Sequence, residues 1–251
     1  MPRAATLITG ASAGLGAEFA RLCAARGEEL VLVARRRDRL EALAAELGNA
    51  HVVVADLAVP GAPRRLLAET EALGVSIETL INNAGFGQIG RIAALSVERQ
   101  SEMIELNIRA LVELTRLVLP AMIERGHGAI LNLASTAAFQ PGPNYAVYFA
   151  SKAFVLSFTE ALHQEMKGAG VRVSALCPGP TSTEFGQVAG VTRPIPEFLS
   201  ADARSVAKAG LRGLDRNRAV VVPGLFNKLG TQSSRFVPRA LMRRIVASVK
   251  A

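Results

Sequence analysis

The sequence predicts an α/β fold in one domain spanning residues 1–251: a Rossmann-type, doubly wound parallel sheet with helices on both faces. Three observations predict it. Short apolar runs alternate with helix-periodic segments along most of the chain. The apolar runs are continuous rather than alternating, so both faces of each strand are buried, as in a parallel sheet. A glycine-rich turn separates the first apolar run from the first helix, where dinucleotide folds hold phosphate. Strand–helix alternation implies right-handed crossovers between parallel strands.

Taken in order, Thr6–Thr9 is the first strand, and Gly16–Arg26 is a helix with Phe19, Leu22 and Cys23 on one face and Gly27 as its stop. Leu30–Val33 is a strand, Arg39–Leu47 a helix (Leu40, Leu43, Ala44 and Leu47 on one face) and His51–Val54 a third strand. A helix over Ala62–Leu73 precedes a strand at Thr79–Ile81. A long helical region covers Val97–Glu124, bent or ended at Pro120. Strands at Gly128–Leu133 and Val171–Leu176 flank a helix over Tyr145–Lys167. The rhythm breaks at about residues 179–200, a stretch with Pro180, Pro194 and Pro196 that reads as a substrate lid over 184–200. A helix at Ala203–Leu214 and a strand at Ala219–Val222 complete the pattern, and 226–251 is a basic C-terminal extension.

Half of the 251 residues are hydrophobic and a fifth charged, which suits a full globular core and argues against disorder. The net charge of +8 is uneven: residues 1–192 hold 17 Lys+Arg against 18 Asp+Glu, and residues 193–251 hold 12 against 3. The basic character therefore belongs to the last quarter, not to a nucleic-acid-binding face. Cys23 and Cys177 read as buried small hydrophobes, with neither a disulfide nor a metal site expected. No secretory leader and no spanning segment are visible, so the expected location is the cytoplasm.

The turn Thr9-Gly10-Ala11-Ser12-Ala13-Gly14-Leu15-Gly16 brings backbone close to a ligand and delivers a pyrophosphate to a helix N-terminus. The end of the second strand, Ala34-Arg35-Arg36-Arg37, lacks the acid that accepts bonds from a ribose 2′-hydroxyl. A guanidinium there binds a 2′-phosphate through paired charged hydrogen bonds, so NADP(H) is favoured, with Arg35 first and Arg36 second; NAD ranks below it. Tyr148 and Lys152 stand at i and i+4, one helical turn apart on one face. Carbonyl reduction needs a proton donor, and an ammonium beside a phenol lowers its pKa from about 10. Ser135, at the end of a strand, is placed to hold a substrate oxygen.

With these residues in place the chain resembles the short-chain dehydrogenase/reductase family, classical subfamily, over about residues 4–222. The resemblance rests on the Gly10/Gly14/Gly16 turn, Asn82-Asn83-Ala84-Gly85, Asn107, Ser135, Tyr148-x-x-x-Lys152 and Pro178-Gly179-Pro180-Thr181-Ser182-Thr183. It implies that Tyr148 is the general acid in reduction and the base in oxidation, and that Lys152 holds the nicotinamide ribose and tunes Tyr148. It implies that Ser135 orients the carbonyl and that Asn107 anchors a relay water. Asp56 and Leu57 would flank the adenine, Asn83, Ala84 and Gly85 would line the cofactor groove, and Pro178, Gly179, Thr181 and Thr183 would face the carboxamide. Tyr145 lacks a lysine four residues on, because position 149 is Phe149. Ala13 stands where some NADP-preferring members carry a basic residue.

Apolar residues in the lid and before it (Phe139, Phe185, Val188, Val191, Ile195, Phe198, Leu199) point to an apolar carbonyl or alcohol substrate, lipid-like, aromatic or steroid-like. They equally suit packing of the lid or a subunit contact. Arg193 is the lone candidate for a charged substrate and reads as solvent-facing. In the extension, Phe236, Val237, Leu241, Met242, Ile245 and Val246 interleave with Lys228, Arg235, Arg239, Arg243, Arg244 and Lys250. A packing arm over a neighbouring subunit or an ordinary terminal helix with a solvated basic face is preferred there, and contact with a membrane surface is the less favoured reading. The resemblance implies a homodimer or homotetramer built on the long helices. An enzyme is expected; a non-catalytic NADP(H)-binding sensor or scaffold of the same fold ranks below it, since all four catalytic positions are kept.

Overall fold

A computed structural model describes residues 2–190, 200–234 and 236–249. Its centre is a seven-stranded, all-parallel sheet in the order β3-β2-β1-β4-β5-β6-β7. The strands are β1 (Arg3–Thr9), β2 (Glu29–Ala34), β3 (Ala50–Val54), β4 (Val75–Asn82), β5 (Gly128–Leu133), β6 (Val171–Leu176) and β7 (Val220–Val221). All the anticipated strands form. β4 starts four residues earlier than its apolar run suggests, because the polar Ser76 and Glu78 alternate with buried Val75 and Ile77.

Helices cover both faces. On one side α1 (Gly14–Ala24), α2 (Arg37–Leu47) and α8 (Ala203–Asp215) pack Phe19, Leu40 and Leu211 on Leu30, Leu32, Ile81 and Leu131. On the other, α3 (Ala62–Ala72), α5 (Leu111–Glu124) and α6 (Ala146–Glu165) pack Leu66, Leu114 and Leu162 on Leu7, Val31, Leu80 and Ile130. Alternate residues of one strand therefore feed opposite cores, which is why the strands read as unbroken apolar runs.

The region 97–124 differs from expectation. α4 (Val97–Ile104) passes through a π-helical turn at Glu105–Ala110 into α5, and the helix continues through Pro120 to Glu124. The irregularity thus lies at Asn107, not at the proline. Pro120 is ten residues into α5, beyond the first turn where proline is ordinarily tolerated. Within the lid, α7 is a single turn (Phe185–Val188), and Thr181 forms a bridge with Ala201. Val191, Arg193, Ile195, Phe198 and Leu199 lie outside the described residues. The extension forms α9 (Leu225–Ser233) and α10 (Arg239–Val249). Met242 and Val246 of α10 are buried, joining Phe86, Met103, Tyr145, Tyr148, Phe149 and Ala189 in one cluster. This face of α10 thus packs on its own chain, as a terminal helix does, and not as the arm over a neighbouring subunit that the sequence also suggests. Among the described residues no helix is long and apolar enough to cross a membrane.

Phe19 is fully buried between α1 and the sheet. Phe19→Ala is expected to cost about 3–5 kcal/mol of unfolding free energy, measured by urea denaturation, from lost burial plus the cavity left behind. A cost below about 1 kcal/mol would remove this residue from the core.

Candidate active site

The sheet order reverses between β1 and β4, and open α/β sheets bind ligands at the carboxyl ends of strands at such a point. The two strand ends are tied by side chains. The Thr9 hydroxyl accepts from the backbone N–H of Asn83 (3.0 Å) and Ala84 (2.9 Å), and the Asn83 amide donates to the carbonyls of Thr9 (2.8 Å) and Gly10 (3.2 Å). A Cβ on Gly16 would stand 2.2 Å from the Gly10 carbonyl oxygen, and one on Gly10 would stand 2.8 Å from the Asn83 amide, at a φ of +67°. Only glycine fits either place.

Past Ser12 and Ala13 of this turn, α1 begins at Gly14 and Leu15 with no side-chain cap and no acidic residue in its first turn. Its free N–H groups and positive dipole end suit a phosphate. Arg36 reaches the turn, donating from Nε (3.2 Å) and Nη2 (3.1 Å) to the Ser12 hydroxyl. Arg35 turns the other way, with Nη1 3.2 Å from Glu102 and 3.6 Å from Asp56. Asp56 also accepts from the Ala58 N–H at 3.0 Å, and Leu57 is buried beside it. This donor set, with its glycine cradle, fits a dinucleotide bearing an extra phosphate.

The second half of the site lies at the ends of β5 and β6. Ser135 follows β5, caps the turn Thr136–Phe139 by accepting from the Ala137 N–H (3.1 Å), donates to the Pro178 carbonyl (3.4 Å), and lies near enough to Tyr148 to pull its phenol pKa down. Tyr148 and Lys152 share the buried face of α6. The Lys152 ammonium donates to the Leu133 carbonyl at 2.7 Å and lies 5.8 Å from the Tyr148 ring centre. Asn107 is buried in the π turn. It accepts from the Phe86 N–H (3.1 Å) and donates to the Phe86 carbonyl (2.9 Å) and the Ser151 hydroxyl (3.1 Å). Gly85 is the neighbour that leaves this room, since a Cβ there would be 2.9 Å from the Asn107 oxygen and 3.5 Å from the Lys152 nitrogen. Pro178 accepts from the Thr136 N–H, Thr181 donates to the Gly179 carbonyl, and Thr183 accepts from the Phe185 N–H.

Burial dominates the electrostatics. It pushes the Tyr148 phenol up to about 12, against a smaller downward pull from the Ser135 hydrogen bond, and it brings the Lys152 ammonium down to about 8. The depressed phenol expected from the i, i+4 lysine does not appear: burial raises it, and the Lys152 ammonium is turned to the Leu133 carbonyl. The thiols of Cys23 and Cys177 are likewise raised by burial, and no metal-ligating cluster occurs among the described residues.

Several participants escaped the sequence reading. Tyr145 is buried and its ring stacks on Tyr148 at 4.6 Å, so it shapes the site without a lysine partner. Phe185, which the sequence already placed at the substrate end, stands beside them with its ring 5.3 Å from that of Tyr148. Arg39 and Glu184 meet Arg36 near the turn. The arginine run and the first acid of the lid were visible in the sequence; their meeting was not.

Comparison with known proteins agrees with this geometry. The family described as short chain dehydrogenase matches residues 4–193. Sulfoacetaldehyde reductase 2 of Chromohalobacter salexigens is 41% identical over 184 residues, 71% of this chain and 73% of that protein. The NADP-dependent 3-hydroxy acid dehydrogenase YdfG of Escherichia coli K12 is 40% identical over 186 residues, 72% of this chain and 75% of that protein. A short-chain dehydrogenase from Sphingobium yanoikuyae, solved in complex with NADPH, superposes with a TM-score of 0.81 at 34% identity, covering 93% of this chain and 94% of that one. The chain belongs to the short chain dehydrogenase family of oxidoreductases.

Proposed function

We propose that this oxidoreductase interconverts an apolar carbonyl compound and its alcohol, with Tyr148 as general acid and base. The cofactor is NADP(H). The observation that carries the reading is the burial of Tyr148 and Lys152 one helical turn apart on one face of α6, with the Lys152 ammonium held by the Leu133 carbonyl just ahead of Ser135.

The bound NADPH supplies the hydride that reduces the carbonyl carbon. Gly10, Ser12, Ala13, Gly14, Leu15 and Gly16 would hold its pyrophosphate, and Arg36, with Arg35 nearby, its 2′-phosphate. Asp56 and Leu57 would hold the adenine, and Asn83, Ala84 and Gly85 the floor of the groove. Lys152 would hold the ribose hydroxyls, and Pro178, Gly179, Thr181 and Thr183 the carboxamide. Tyr148 delivers its phenolic proton to the carbonyl oxygen, and Ser135 donates a second hydrogen bond to that atom, stabilising the charge that develops there. Asn107, fixed by three hydrogen bonds, is the positioning group through which a water passes protons to Lys152.

An apolar substrate is supported by what surrounds the phenol: Tyr145, Phe149, Phe185, Ala189, Met242 and Val246. A homodimer or homotetramer through α4, α5 and α6 is supported by the exposed Ile104, Ile123 and Phe154 on those helices.

Tyr148→Phe is expected to lower kcat about 10²–10⁴-fold on an apolar ketone while NADPH affinity, read by fluorescence titration, stays within about twofold. Activity equal to the parent would exclude Tyr148 as the acid. Because the phenol is pushed up to about 12, the base form needed for oxidation gains population as pH rises. Alcohol oxidation should therefore climb from pH 7 to 10 by up to about tenfold per unit, whereas ketone reduction should not climb. Parallel pH profiles in the two directions would contradict this assignment.

A further inference from the structure

Glu184 reaches a place its position in the lid does not require. It precedes α7 but makes no capping hydrogen bond to it. Its carboxylate instead lies between two guanidiniums on the opposite side of the turn. One oxygen accepts from Arg36 Nη1 at 2.9 Å and the other from Arg39 Nη1 at 2.5 Å. The remaining nitrogens of Arg36 donate to Ser12, the hydroxyl on the glycine turn. The two guanidiniums, Arg39 first, hold the Glu184 carboxyl below the usual range. Its neighbours bind this contact to the site. Thr183 stands over the turn, so close that a Cβ on Gly14 would be 3.1 Å from its own Cβ, and Phe185 packs on the Tyr148 ring.

Two guanidiniums converging on one carboxylate, that of Arg36 also held to the Ser12 hydroxyl, form a receptor for an anion with several oxygens. A phosphate dianion offers more charge and more acceptors than a carboxylate, and the two anions repel each other at that range. A neutral ribose hydroxyl offers neither the attraction nor the repulsion.

We propose that Glu184 is a specificity-determining residue: the 2′-phosphate of NADPH displaces its carboxylate from Arg36 and Arg39, whereas NADH leaves the bridge intact. The phosphorylated cofactor alone then releases the Thr183–Val188 segment from the arginines and lets Phe185 move off Tyr148. This rests on the reading of Arg36 as a phosphate ligand.

The test is binding rather than turnover. Dissociation constants for NADPH, NADH and the fragment 2′,5′-ADP are measured for the parent, Glu184→Gln and Arg36→Ala, together with limited proteolysis of the segment around residue 184. Glu184→Gln is expected to tighten NADPH and 2′,5′-ADP about three- to tenfold, the scale of two exposed ion pairs, and to leave NADH within about twofold. In the parent, NADPH should expose the segment to cleavage more than NADH does; in the variant the two should act alike. Weaker NADPH binding, or equal tightening of both cofactors, would overturn the proposal. If Arg36→Ala leaves NADPH affinity unchanged, the phosphate reading itself fails. If it weakens NADPH while Glu184→Gln leaves the NADPH-to-NADH ratio unchanged, the displacement alone fails.

Discussion

The molecule depends on one tie, the Thr9 hydroxyl and Asn83 amide that pin β1 to β4 where the sheet reverses direction. Parallel strands whose crossovers leave in opposite directions open a cleft between their carboxyl ends. Without a cross-link there, the backbone groups at the two strand ends would have no ladder partner and would need water. Asn83 supplies the link and also sits where a Cβ on Gly10 or Gly16 would go, so the tie and the turn exclude any larger residue together. The close approach of Gly16 to Gly10 then aims the start of α1 into the cleft.

On the far side of the cleft the chain buries groups that proteins ordinarily leave wet. Lys152 is 5% exposed, a burial that a lysine tolerates only with a partner, and the Leu133 carbonyl provides it at 2.7 Å. The irregular helical turn around Asn107 frees backbone geometry for a side chain that satisfies the Phe86 amide in both directions and the Ser151 hydroxyl as well. π turns of this kind are concentrated at functional sites, and this one lies one glycine away from the Lys152 ammonium. A comparable polar chain, Asn82 to Thr115 and Asn132, and Asn132 to Thr159, runs through the sheet behind the site and keeps its central strands in register.

The sheet was legible because every strand contains a short, mostly apolar run, and the glycine turn because its spacing sits directly after the first of them. Element ends were less so: polar Ser76 and Glu78 hid the first half of β4, and Pro120 drew attention away from the π turn at Asn107, which no propensity marks. The residue types of the candidate site were readable from order and spacing. Their contacts were not, since these depend on where side chains from distant segments meet. Arg35 and Arg36 are adjacent in sequence, yet one turns toward Asp56 and Glu102 and the other toward Ser12 and Glu184. The depression of the phenol pKa anticipated from an i, i+4 lysine overlooked how completely the ring is covered, in part by Met242 and Val246 from the other end of the chain.

That last contact makes the two ends of the polypeptide unequal. Arg3 pairs with Val75 at the bottom edge of the sheet, the edge opposite the strand ends that carry Ser135 and Thr9. α10 instead packs its buried face into the cluster around the phenol. A load placed on β1 therefore acts on the edge away from Tyr148, whereas a load placed on α10 acts on a helix that covers the Tyr148 ring.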